Sequence, residues 1–76
     1  MHRYKNLSLN SGVTHYSIGN DFIEVKFKNK PAIYIYSYSI NGKEHIEKMK
    51  KLAAKGQGLS TYISQHPEVK NHFINQ

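Results

Sequence analysis

Pro31-Ala32-Ile33-Tyr34-Ile35-Tyr36-Ser37-Tyr38-Ser39-Ile40 holds the densest β-branched and aromatic content of the chain. Such residues suit a pleated, packed surface. In a strand, Tyr34, Tyr36 and Tyr38 fall two apart and share one face. Ile33 and Ile35, followed by Ser37 and Ser39, take the other. Both faces open apolar or aromatic, which predicts a central strand with material packed on each side. Pro31 fits only the first position of that strand, because proline donates no ladder hydrogen bond.

Two more strands precede it. Val13–Ile18 reads as the first, and Gly19-Asn20-Asp21 supplies residues that tolerate the positive φ of a tight hairpin turn. Residues 22–28 alternate clearly: Ile23, Val25 and Phe27 on one side, Glu24, Lys26 and Lys28 on the other. Asn29-Lys30 makes a second turn into the opening stretch. Three strands joined by short turns form an antiparallel meander. Residues 1–12 are polar, with Arg3 and Lys5 facing no acid, and Asn10-Ser11-Gly12 is a turn signal. Residues 1–10 are expected to be an irregular arm, as termini often are.

Downstream the period changes from two to helical. Asn41 has the chemistry of a helix cap, and Glu44 three residues later completes a capping-box spacing. Ile46, Met49, Leu52 and Ala53 form an apolar stripe, and Gly56 fits the position that ends a helix. Leu59–Gln65 predicts a shorter helix with Leu59, Tyr62 and Ile63 on one face. His66-Pro67 breaks it and starts a last turn or two, with Val69 and Phe73 four apart. The expected fold is therefore α+β, a single domain over residues 1–76. A three-stranded antiparallel β-meander is packed on one face by one long and one or two short C-terminal helices.

The long helix must bury its stripe on one face of the sheet. The opposite face then lacks cover, and Ile33 and Ile35, or some of the tyrosines, look outward. An uncovered apolar strip on a small sheet usually marks an interface, so a homo-oligomer with Ile33 and Ile35 at the contact is expected. The alternative is that the arm, through Leu7 and Leu9, folds over this face.

Composition narrows the class. The absence of cysteine excludes disulfides, thiolate catalysis and the common zinc-finger ligand sets, and is compatible with a reducing compartment. No apolar run approaches the roughly 20 residues of a membrane span, and the N-terminus lacks a signal-peptide core. A soluble, cytoplasmic protein without a membrane partner is expected. The 11 Lys and Arg against 5 Asp and Glu give a net charge of +6, which favours anionic partners. The excess is spread along the chain, so any positive patch must be assembled by folding.

The order Ser11, Tyr16, Ile23-x-Val25-x-Phe27 and Tyr34-Ile35-Tyr36, followed by Ala53-x-x-Gly56 and Gly58-Leu59-x-x-Tyr62-Ile63, resembles the KTSC domain. That family comprises a short domain at the C-terminus of some lysyl-tRNA synthetases and small stand-alone proteins. Its mark, a central Tyr-x-Tyr, is matched by Tyr34 and Tyr36, and the likeness spans residues 11–73. The third tyrosine, Tyr38, and the longer Lys-rich helix depart from it. The resemblance implies an RNA-binding module. A looser likeness, in size and charge rather than motif, is to phage proteins that oligomerise and sequester cyclic nucleotide immune signals.

Catalytic constellations are nearly absent. There is no Gly-x-Ser-x-Gly elbow and no Walker sequence, the carboxylates are scattered, and the histidines lack ligand spacing. Neither a cofactor nor a metal is expected. Three features suit a phosphate-bearing ligand. The loop Gly56-Gln57-Gly58-Leu59-Ser60-Thr61 permits close backbone approach beside Lys55, although the same residues make an ordinary helix stop and start. Ser11-Gly12 is a second such loop. Lys48, Lys51 and Lys55 form one helix stripe able to meet phosphates, or simply a solvated face. Among the tyrosines, Tyr16, Tyr38 and Tyr62 are candidates for stacking on a base; Tyr36 is a further candidate ligand contact, although Tyr34 and Tyr36 fit better as core residues with wet tips. The expected function is non-catalytic capture of a small nucleotide, most concretely a cyclic immune signal, between protomers. RNA binding is the first alternative, and docking on an acidic partner protein the second.

Overall fold

The computed structural model describes residues 1–7 and 11–75. The chain is α+β. Among the described residues its sheet has five antiparallel strands in sequence order: β1 (His2–Arg3), β2 (Val13–Ile18), β3 (Phe22–Phe27), β4 (Ile33–Ser37) and β5 (Ile74–Asn75). Four helices lie between β4 and β5: α1 (Tyr38–Asn41), α2 (Lys43–Lys55), α3 (Leu59–Gln65) and α4 (Pro67–Lys70). The expected meander is the centre of this sheet, and two short outer strands extend it. Those strands are two residues long, too short to show a period.

Register explains which residues are inside. Ile23 pairs with Tyr36 and Val25 with Tyr34, so both tyrosines share the helix-covered face with the β3 apolar residues. Lys26 pairs with Ile33 and Glu24 with Ile35, on the opposite face. Tyr36, Ile23 and Val25 form the core with Ile46, Met49 and Ala53 of α2, Leu59 and Ile63 of α3, and Val69 of α4. An extra residue, Thr14, bulges β2 between Val13 and His15. The bulge keeps Val13 inside while turning His15 to the Lys26 side.

Three expectations need correction. Residues 1–7 of the expected irregular arm are tied into the fold, although only His2 and Arg3 form a strand. His2 and Arg3 pair with Tyr16 and His15, and Tyr4 is buried at 3% exposure. The Tyr4 hydroxyl accepts the Leu59 N–H (3.3 Å), and the Leu7 N–H donates to the Gly56 carbonyl (2.8 Å). This segment therefore ties the sheet edge to the helices, and Leu7 is exposed rather than covering the other sheet face. The companion expectation for Leu9, and Asn10 of the turn signal, lie outside the described residues.

The central strand also stops earlier than its tyrosine alternation suggests. It ends at Ser37, and Tyr38 opens α1. Asn41 is the cause. Its side-chain Oδ1 accepts the Ser37 N–H (3.0 Å), and its Nδ2 donates to the His72 carbonyl (2.8 Å). Asn41 thus clasps the end of β4 to the segment leading into β5, and it does not cap α2. Gly42, with φ of 91°, precedes α2 without a side-chain cap, so the capping box with Glu44 does not form. Asn41 is buried, and removing its amide strands the groups it satisfies. Asn41→Ala is expected to cost about 1–3 kcal/mol, read as a lower urea midpoint with an unchanged slope.

β4 also starts later than expected, at Ile33 rather than Pro31, while the other boundaries follow their local chemistry. Asn29 takes a positive φ of 64° in the β3–β4 turn. Gly56 ends α2 in the left-handed conformation, its N–H reaching the Leu52 and Ala53 carbonyls, with Lys5 packed against it. Among the described residues, no helix is long and apolar enough to cross a membrane.

Candidate functional site

One end of the sheet gathers most of the positive charge. Three neighbouring hollows lie there. The first, about 640 Å³, sits beside the β1–β2 seam and takes Arg3, Lys5, Ser11, Thr14, His15 and Lys28 among its walls. The second, about 550 Å³, lies at the β3–β4 turn; it shares Thr14, His15 and Lys28 and adds Lys26 and Lys30. The third, about 300 Å³, shares Phe27 and Lys30 with the second and runs between the sheet and α3–α4, where Lys70 joins it. Six of the 11 Lys and Arg line these hollows, and none of the five acids does. Cations surrounding concave, acid-free surface raise the local anion concentration.

Local structure builds this end. The β2 bulge places Thr14 Oγ1 against the Lys26 carbonyl (3.2 Å) and His15 Nδ1 beside Thr14 Oγ1 (3.1 Å). The Lys28 N–H donates to the Gly12 carbonyl (2.7 Å), which draws residues 11–12 onto the end of β3. Ser11 is fixed twice: its N–H donates to Asn6 Oδ1 (3.1 Å) and its Oγ accepts the Val13 N–H (3.1 Å). The third hollow is aromatic. Tyr34 stacks on Phe73 with centroids 4.5 Å apart and planes at 23°, and Phe27 meets Tyr34 edge-on at 5.2 Å.

The sequence-predicted residues scatter by comparison. Ser11 lines the first hollow, and Tyr36 and Ser60 line the third. Tyr36 is 1% exposed, however, so its ring is core rather than a free stacking surface. That burial, with Tyr34 nearby, pushes its phenol pKa upward. Tyr16 is half-buried on the core face, its ring near those of His2 and Tyr4. Lys48, Lys51 and Lys55 lie exposed on α2 and line none of the three hollows. Gly56 is buried, and its N–H is spent on the helix stop. Gly58 and Thr61 border a separate hollow of about 300 Å³ with Tyr62, which no cation lines among the described residues. Lys55 and Lys5, the lysines next to the loop, do not line that hollow. Ile33 and Ile35 are half-buried on the face away from the core, with Ile35 paired to the exposed Ile74.

Tyr38 and Tyr62 are occupied elsewhere. The Tyr38 hydroxyl donates to the Glu47 carboxylate, and Lys50 Nζ lies 5.3 Å from the ring centroid. Lys50 also reaches Glu47 (2.9 Å) and the Asn20 carbonyl (2.8 Å). The hydrogen bond from Tyr38, then that from Lys50, holds the Glu47 carboxyl below its usual range; the same bond raises Tyr38. Tyr62 hydroxyl and His45 Nδ1 are 2.7 Å apart, and the ring stacks on His66 at 4.1 Å. Burial first, then Glu68 and Glu44, raises the Tyr62 pKa. Both sets are packing networks at helix surfaces. Among the described residues, no group of three His, Asp or Glu could hold a metal ion.

The hollows also bring together Arg3, Lys5, His15, Lys26, Lys28, Lys30 and Lys70, which the sequence does not single out as ligand contacts. Part of the signal was visible: Lys26, Lys28 and Lys30 alternate through the end of β3 and its turn. No family model matches the chain, and no curated protein or solved structure matches it either.

Proposed function

We propose that this protein is a non-catalytic binder of a phosphate-bearing nucleotide ligand, seated at the basic end of the sheet. The observation that carries the reading is the set of three adjoining hollows walled by six cations and, among the described residues, no Asp or Glu. Lysine and arginine neutralise phosphates, and Ser11 and Thr14 add hydroxyls between them. Capture without turnover, as in sequestration of a cyclic nucleotide signal, suits a site made of cations and hydroxyls. Self-association through the face bearing Ile33, Ile35 and Ile74 belongs to the same reading, because that face carries the apolar residues left outside the core.

RNA binding is the second reading. The continuity of the hollows favours it, since Thr14, His15 and Lys28 join the first to the second, and Phe27 and Lys30 join the second to the third. A thermal-shift panel of cyclic dinucleotides, cyclic trinucleotides and short RNAs tests both, because a ligand raises the midpoint by mass action. A cyclic nucleotide is expected to saturate at fixed stoichiometry and to be recovered intact after denaturation. Binding that grows with oligonucleotide length and collapses with salt selects RNA. No shift from any member of the panel would remove both readings.

A further inference from the structure

We infer that the aromatic hollow between the sheet and α3–α4 is a seat for one nucleoside monophosphate unit, its base against the Tyr34–Phe73 rings and its phosphate between Lys30 and Lys70. This rests on the phosphate reading above and assigns the base, which that reading leaves without a place. The first two hollows offer cations and hydroxyls, and apart from the buried Tyr4 their rings among the described residues are Phe27 and His15. The third differs in kind. Four aromatic residues wall it: Phe27, Tyr34, Tyr36 and Phe73. Tyr34 and Phe73 are half-buried and nearly parallel, whereas Tyr36 is closed within the core. An aromatic wall accepts the π-face of any base, so the seat is tolerant of base identity.

The polar groups of the hollow divide into two sets. Lys30 and Lys70 are exposed lysines, one from the β3–β4 turn and one from the end of α4. Two ammonium groups match the double negative charge of a terminal phosphate. Ser64 and Asn71 add a hydroxyl and an amide, which can meet the donor and acceptor edge of a base. The volume of about 300 Å³ is at the lower end for small-ligand pockets, the size of one nucleotide unit rather than two. A longer ligand would therefore place one base here and run its remaining phosphates along the neighbouring cations.

The test compares adenosine and uridine 5′-monophosphates with ribose 5-phosphate and tripolyphosphate, using calorimetry and NMR of the aromatic side chains. Both monophosphates are expected to bind about tenfold or more tighter than ribose 5-phosphate. Tyr34 and Phe73 ring signals should shift with the monophosphates alone. Phe73→Leu keeps an apolar side chain but removes the ring, and should bring both monophosphates down to the ribose 5-phosphate level. Lys70→Gln, at an exposed site, provides a second variant whose fold is secure; it should weaken monophosphate binding about tenfold. Monophosphates binding no better than ribose 5-phosphate, while tripolyphosphate still binds, would overturn the base seat and leave the phosphate reading standing. Unchanged affinity in both variants would overturn it too. Absence of binding by tripolyphosphate and monophosphates alike would overturn the seat together with the reading beneath it.

Discussion

Replacing Tyr4 by alanine is expected to destabilise the protein by about 3–5 kcal/mol, the usual loss for truncating a buried aromatic residue. The whole stability of a 76-residue chain is of the order of 4–11 kcal/mol, at roughly 0.05–0.15 kcal/mol per residue. One substitution in the first strand's margin would thus remove a large share of it. The reason is what Tyr4 joins. Its backbone N–H donates to the Thr14 carbonyl (2.9 Å), its ring packs edge-on to Tyr16, and its hydroxyl accepts the Leu59 N–H. It is both the last rung of the β1–β2 seam and the link to α3. Tyr4→Phe keeps the ring and loses only the hydrogen bond, so about 1 kcal/mol is expected there. Urea unfolding followed by circular dichroism measures both. A Tyr4→Ala midpoint within error of the parent would mean that the segment lies loose and contributes nothing to the core.

The second large effect concerns charge. Lys28 stands between the first two hollows and Lys30 between the second and third, so each serves two. On the RNA-binding reading, replacing both by glutamine is expected to weaken binding of a single-stranded oligonucleotide about tenfold or more at low salt. The slope of log K against log salt should flatten by roughly 1.4, about 0.7 for each single-strand phosphate no longer neutralised. Lys48→Gln with Lys51→Gln removes the same charge from the exposed face of α2 and is expected to change the slope little. This pair of double variants distinguishes the sheet end from the helix stripe. Equal losses from the two would show that net charge alone governs binding, and that the hollows have no special part.

Much of the architecture was legible because it is local. The alternation of Ile23, Val25 and Phe27, the Gly19-Asn20-Asp21 turn, the stripe of Ile46, Met49 and Ala53, and the stop at Gly56 all act within a few residues. Each appears in the folded chain at the expected place, although the Gly19-Asn20-Asp21 turn forms without the positive φ its residues tolerate. The errors fall where distant segments meet. Nothing within residues 1–7 announces that Tyr4 will meet Leu59, 55 residues away. Asn41 looks like a cap by its neighbours, yet its partners are Ser37 and the distant His72 carbonyl. The site was harder still. Arg3, Lys28 and Lys70 are ordinary surface residues singly. Arg3 and Lys28 meet only when antiparallel pairing brings the finish of β1, the start of β2 and the β3–β4 turn together, and Lys70 joins them from the end of α4. Lys48, Lys51 and Lys55 gave the stronger periodic signal because a helix displays its spacing within one segment.

The sequential order of the strands bears on how the chain assembles. From β1 to β4 each strand lies against the one before it in sequence, so these pairings close short loops at little entropic cost. β5 differs. Its partner β4 lies across the whole helical segment, and pairing Ile35 with Ile74 closes a loop of that length. Pairings of such separation raise contact order and slow folding. The hydrogen bonds of the Asn41 amide bridge the same gap and offset part of that closure cost once the loop has closed.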